Sequence, residues 1–390
     1  MAVNMIKFLS KLFLIVLIPK YHDWFNRHVN KYINRRIIVK TAIKMWIMAM
    51  GILSLSFSCS ISDDNIFSCN ADMTDAEKNI QIKGTLLPFT GQPVMQIYNL
   101  HIVDSFLVVK ASVKESSDQM FVFNLHSNKY TGTSFITKGR GPNELQNPFC
   151  YGSYNIYSDY KPLYIFDLSL RESYAFDVEA SVNAGQTQLS KICRLPEGTL
   201  YAYPYRDSLH FVKVPAPECL DGMILNPDGS MAKKVALYGD VPGYLYFDKL
   251  SSADAFFSGT DMMAMAMTML PQVNFIDVNT GEKHTVAIDK QYREWKQLLY
   301  DEMYTPTICY TAAIPAGSVV VALYYGVTLA DWAAGDAPAH LHIFDADGGF
   351  LYDISLAESL KAIAYDRNSG MLYGADTEDR IYQYDMSDII

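Results

Sequence analysis

Six times along this chain, three or four strand-forming residues run into an Asp or Asn and then a turn. The copies are Phe121-Val122-Phe123-Asn124, Tyr164-Ile165-Phe166-Asp167, Met223-Ile224-Leu225-Asn226, Asn274-Phe275-Ile276-Asp277, His342-Ile343-Phe344-Asp345 and Tyr382-Gln383-Tyr384-Asp385. Their Asp/Asn positions are separated by 43, 59, 51, 68 and 40 residues. Four-stranded propeller blades repeat at about 40 to 50 residues, so these spacings read as six blades with two long insertions. An Asp or Asn at a strand end accepts a hydrogen bond from the backbone two residues on and tolerates left-handed backbone, which suits a hairpin. Gly follows in Asn226-Pro227-Asp228-Gly229, Asp277-Val278-Asn279-Thr280-Gly281 and Asp345-Ala346-Asp347-Gly348-Gly349, all strong hairpin signals. A β-sandwich would show closer strands and no period. The expected fold is all-β, a six-bladed β-propeller.

The last copy leaves room for only three strands in its blade, Ala362 to Tyr365, Leu372 to Ala375 and Ile381 to Tyr384. Upstream, Ile80 to Leu87 is a strand-like segment without a blade of its own. Adding this N-terminal strand to the last blade closes the ring and removes an exposed edge. The propeller is therefore expected over residues 80–390. The 27 Tyr and 20 Phe agree, because aromatic side chains pack well on pleated strands.

The net charge of -10 conceals an asymmetry. Residues 1–58 carry nine of the 32 Lys+Arg and only Asp23 of the 42 Asp+Glu, leaving 23 against 41, or -18, for the remainder. So acidic a body repels phosphate backbones, which argues against nucleic acid as a partner. The basic start reads as targeting sequence. Met45 to Phe57 is an apolar run of 13, too short to span a membrane and the right length for a signal-peptide core, preceded by Arg35, Arg36, Lys40 and Lys44. After it, Leu55-Ser56-Phe57-Ser58-Cys59 resembles a bacterial lipobox, and Ser62-Asp63-Asp64 resembles the acidic signal that exports lipoproteins of Bacteroides-type bacteria to the cell surface. The expected organisation is a basic and apolar extension over 1–44, absent from the native protein if translation starts near Val39. A signal-peptide core over 45–58 follows, then the lipidated Cys59 and a tether over 59–79. The expected location is the outer membrane, facing outward, with the membrane reached through the lipid.

Between the first two copies stands Lys138-Gly139-Arg140-Gly141-Pro142-Asn143-Glu144, followed by Pro148. The stretch resembles the G-x-G-P-x-E loop of six-bladed TolB-like and NHL-like propeller proteins, especially lipoproteins of Bacteroides. The resemblance covers roughly residues 81–390 and implies a propeller lipoprotein. On its own chemistry, the loop pairs two glycines around Arg140 with a stiff Pro142, which suits a blade connector. Arg140, Asn143 and Glu144 are its candidate ligand contacts.

No motif carries chemistry by spacing. The body's six histidines, at 101, 126, 210, 284, 340 and 342, fit no H-E-x-x-H or other metal-ligand pattern. His340 and His342 share a strand face by period two and read as structural. The six cysteines lack C-x-x-C, so neither a zinc site nor a redox motif is supported, and one bridge, Cys193 with Cys219, is the pairing considered. Asp345-x-Asp347-Gly348 has the start of a calcium loop, but its Gly comes too early and position twelve is not Glu, so it reads as a hairpin turn. No metal and no cofactor is expected. The two long gaps are read as insertions. Pro196 to Glu218 carries Tyr201, Tyr203, Tyr205, Arg206 and His210. The other begins with a helical pattern at Gln291 to Tyr304 and continues into a Gly/Ala-rich loop with Tyr324, Tyr325, Asp331 and Trp332. Aromatic rings beside Arg and Asp suit a carbohydrate or peptide surface. Tyr205, Arg206, Tyr325 and Trp332 thus join Arg140, Asn143 and Glu144 as ligand-binding candidates. The function expected is non-catalytic recognition of a glycan or peptide on one propeller face. Its rivals are a metal-dependent propeller hydrolase or lactonase using Glu144, and a structural subunit of an envelope complex.

Overall fold

The computed structural model describes residues 72–89, 91, 93, 95–114, 116–150, 162–206, 209–215, 220–238, 251–288 and 307–390. The signal-peptide core, Cys59, Cys219 and the predicted helix over 291–304 lie outside them. Among the described residues, six sheets follow one another along the chain, each running from an inner strand outward through antiparallel blade strands. Blade one is Gln96–Val103, Phe106–Ser112, Asp118–Asn124 and Lys129–Thr137. Blade two is Pro148–Cys150, Leu163–Asp167, Glu172–Phe176 and Leu189–Arg194; blade three is Tyr201–Tyr205, Leu209–Pro215, Leu220–Leu225 and Met231–Ala236. Blade four is Ser252–Phe256, Met262–Met267, Gln272–Asp277 and Lys283–Ala287; blade five is Thr307–Ala316, Val319–Thr328, His340–Asp345 and Phe350–Leu356. Blade six has three strands of its own, Leu360–Asp366, Met371–Asp376 and Ile381–Asp385. The molecule is a six-bladed β-propeller, as the six repeats predict.

The N-terminal segment makes the expected closure and does more. Ile80 to Leu87 is not one strand. It divides at Lys83-Gly84, so that Thr85–Leu86 pairs antiparallel with Ile381–Asp385 and completes blade six. Lys78–Ile82 instead runs parallel to Phe350–Leu356, as a fifth strand on the outer edge of blade five. Just before it, Asp72–Met73 pairs parallel with Val286 and Ala287 on the outer edge of blade four. Residues 72–86 therefore form a belt over three consecutive blades, and part of the expected tether already belongs to the propeller. The division needs Gly84, since a Cβ there would stand 2.7 Å from the Tyr384 ring, whose hydroxyl is held by Glu358 at 2.8 Å.

Five of the six repeat units end the third strand of their blades. The second does not: Tyr164–Asp167 lies in the second strand of blade two. Asp177 is the residue that follows that blade's third strand, and counting from it turns the first two spacings from 43 and 59 into 53 and 49. The supposed insertion at Pro196 to Glu218 then disappears. Tyr201–Tyr205 and Leu209–Pro215 are the two inner strands of blade three. The real insertion is a short helix, Val178–Ala184, between the third and fourth strands of blade two. Asp177 caps it by accepting from Ala180 N at 2.9 Å, and Gly185 ends it in left-handed backbone.

The turn chemistry is as expected. Asn124 Oδ1 accepts from His126 N at 3.1 Å, Asp277 Oδ1 from Asn279 N at 2.7 Å and Asp345 Oδ1 from Asp347 N at 3.0 Å. Each hairpin thereby satisfies N–H groups that the ladder leaves open.

Six apolar clusters hold the ring, one at each blade junction, including blade six with blade one. Both faces of a blade are thus covered by neighbours, and the central strands read as continuous apolar runs instead of alternating ones. Met262–Met267 is MMAMAM, with every residue from Met263 onward buried. At about 25 cal/mol per Å² of apolar surface, this junction burial is the dominant favourable contribution to the fold.

Candidate functional site

The inner strands converge on the ring axis and enclose a cavity of about 390 Å³. Each blade contributes, through His101, Cys150, Tyr203, Asp254, Thr311 and Lys361 in blade order. A space of this size, walled by rigid strands, is in the range of small-ligand sites.

One wall carries a buried polar network joining blades three and four. Lys213 Nζ lies 2.5 Å from Asp254 Oδ2, with both side chains at 0% exposure. Tyr203 donates to Asp254 Oδ2 at 2.6 Å, and Ser252 Oγ donates to Asp254 Oδ1 at 2.7 Å while accepting from Lys213 at 3.0 Å. Burial pulls the Lys213 pKa down, and the Asp254 carboxylate pushes it back up. The aspartate is fully engaged: among the described residues, no other acidic side chain lines the cavity. At another point of the wall, Lys361 is paired with Asp379 at 2.5 Å, and Asp379 also accepts from Ile97 N at 2.7 Å. The charges are therefore compensated, and tyrosine faces with neutral polar groups remain.

Among the described residues, two lining residues carry a buried polar atom without a hydrogen-bond partner, His101 Nε2 and Thr311 Oγ1. His101 is wholly enclosed, and burial, followed by the positive charge of Lys110, lowers its pKa from 6.5 to about 3. It is a neutral imidazole on the cavity wall. Cys150 beside it is held as a thiol, since burial pushes its pKa up to about 12. No motif in the sequence marks His101 or Thr311 as a cavity residue. Their signal is position alone, in the first strand of a blade, the one strand of each blade that faces the axis.

None of the seven candidate residues lines this cavity. Glu144 turns back on its own loop and accepts from Gly141 N at 2.7 Å, while Arg140 and Asn143 are exposed. Asn143 is left-handed, with φ 63°, which closes the turn. Tyr205 and Arg206 do come together. The Tyr205 hydroxyl and Arg206 Nε each donate to Asp261 Oδ1 at 2.7 Å, at the outer end of the inner strand. Tyr325 is not in a loop. It is buried in the second strand of blade five and its hydroxyl donates to the Leu360 carbonyl. Trp332, 36% exposed, stands on a short helix, Leu329–Ala334, capped by Thr328. Cys193 is a free, buried thiol. Asp345 spends its carboxylate on Asp347 N and Gly349 N, which makes its loop a turn. Among the described residues, one group of metal-ligand side chains comes together, His340, His342 and Asp353, on blade five and off the cavity.

No family model matches the chain, and no curated protein matches it either. Solved structures do resemble it. A member of the DUF4221 family from Bacteroides vulgatus superposes with a TM-score of 0.52 at 11% identity, covering 79% of this chain and 98% of that one. The WD40 repeats of RRP9 give a TM-score of 0.44 at 10% identity, over 77% and 98%. At these identities the likeness is one of fold.

Proposed function

We propose that this chain is a non-catalytic recognition module that takes the end of a glycan into its central cavity. The observation that carries the reading is the pair of buried, unpartnered polar atoms on the cavity wall, His101 Nε2 and Thr311 Oγ1. An unsatisfied buried polar atom costs about 1–3 kcal/mol, a cost that a ligand hydroxyl reaching either atom would recover. Tyr98, Tyr201 and Tyr365 add ring faces, on which the apolar side of a sugar can stack. Because Lys213 and Lys361 are already paired with aspartates, the cavity favours a neutral polyhydroxylated ligand over a peptide with charged ends.

The reading includes a lipid anchor at Cys59 and an outward-facing position on the outer membrane. It rests on the lipobox-like Leu55 to Cys59 and on the Lys138 to Glu144 loop with its likeness to TolB-like and NHL-like lipoproteins. Labelled palmitate should enter the native protein and be lost in Cys59→Ala.

A glycan array followed by calorimetry tests the ligand. A neutral glycan should bind the wild type, and Thr311→Val and His101→Phe should weaken it about tenfold, the equivalent of one hydrogen bond. Binding that survives both changes, or retention of peptides alone, would count against the reading.

A further inference from the structure

We propose that His340, His342 and Asp353 form a binding site for a zinc-class divalent ion on the outer half of blade five. The site follows from strand geometry. His340 and His342 lie two apart on the third strand, hence on one face, and Asp353 is directly opposite His342 on the fourth. Their donor atoms lie within 4.8 Å of one another, with His340 Nδ1 2.7 Å and His342 Nε2 3.6 Å from Asp353 Oδ1. Tetrahedral zinc with ligand bonds of about 2.0–2.2 Å sets its ligands about 3.3 Å apart, so small side-chain movements suffice.

A structural hydrogen-bond cluster would account for His340, which reaches Asp353 at 2.7 Å. His342 is held from its other side. At 3.6 Å its Nε2 is beyond hydrogen-bond reach of the carboxylate. Its other nitrogen, Nδ1, lies 3.0 Å from the Tyr310 hydroxyl. With Nδ1–H donating to Tyr310, the Nε2 lone pair faces Asp353, which is the tautomer a metal ligand needs. Outer partners of this kind are how ligand histidines are oriented. Tyr324, stacked on the His342 ring at 4.3 Å, and Phe350, at 4.8 Å, hold the ring in place.

Access and donor chemistry agree. The His340 and Asp353 side chains are 30% and 28% exposed, so an ion can enter and keep a water ligand, while His342 is nearly closed off at 3%. Two imidazoles and one carboxylate suit zinc and its borderline neighbours and are a poor set for calcium or magnesium, which prefer all-oxygen shells.

Cobalt(II) is the probe, because its visible spectrum reports coordination. Chelator-stripped, full-length protein should take up one equivalent, develop the absorption bands of a four- or five-coordinate nitrogen and oxygen site, and lose them as zinc displaces it. His340→Ala and Asp353→Asn, both at partly exposed positions, should fold as the wild type by circular dichroism. Each should weaken zinc by at least tenfold. Tyr310→Phe should weaken it by about tenfold to a hundredfold through the tautomer. No saturable cobalt uptake by folded wild-type protein, or uptake that His340→Ala and Asp353→Asn leave unchanged, would overturn the proposal.

Discussion

Blades three and four are joined twice by the same set of groups, a tyrosine and a cation on one aspartate. On the cavity wall the set is Tyr203, Lys213 and Asp254, with both charged side chains at 0% exposure. At the outer end of the inner strands it is Tyr205, Arg206 and Asp261, with Arg206 at 45% and Asp261 at 13%. Chemistry is nearly constant between the two, so surroundings decide what each contributes. In water the attraction is screened, and exposed pairs contribute about 0–1 kcal/mol. In the interior, attraction grows and so does desolvation, so the intact pair adds little over an apolar pair while half a pair is very costly.

The largest expected effect is therefore Asp254→Ala, which strands the Lys213 ammonium and should cost about 3–5 kcal/mol in urea unfolding. A loss under about 1 kcal/mol would erase the distinction between wall and rim. Acid should reach the wall next. His101 titrates at about 3 when folded and near 6.5 when unfolded, so the unfolded chain holds more protons in that window. Its contribution is complete above pH 6.5 and is lost as pH falls, by about 3 kcal/mol at pH 4. His101→Gln should flatten that part of the stability–pH curve, and an unchanged slope would show that His101 is not its source. Tyr203→Phe should cost about 1.5–3 kcal/mol by removing a buried bond to a charged acceptor. The smallest change belongs to the rim: Asp261→Asn should cost at most about 1 kcal/mol and fade in high salt.

How much of this was legible in the sequence differs by feature, for physical reasons. Hairpin ends were legible because an Asp side chain reaching the N–H two residues on is a local event. The same event does not say which hairpin it closes. Asp366 and Asp376 end the first and second strands of blade six and accept from Asn368 N at 3.0 Å and Glu378 N at 2.9 Å. That ambiguity assigned Asp167 to the wrong strand and made two ordinary strands of blade three look like an insertion. The closing strand was legible as an apolar segment without a blade, but its division at Gly84 depends on the Tyr384 ring, 300 residues later. The cavity was not legible, because His101, Thr311 and Asp254 come to line one space only when six inner strands share an axis. His340 and His342 stood in plain view by period two. Asp353 joins them only through the register of the next strand.

The belt over blades four, five and six has a consequence for synthesis. Residues 72–86 leave the ribosome before any strand they will pair with, since their partners are Val286 and Ala287, Tyr352 to Leu356, and Tyr382 and Gln383. The earliest-made part of the propeller must therefore wait, unpaired, for its latest-made part. Early blades can assemble against one another in order of emergence, but no nascent chain shorter than blade six can close the ring.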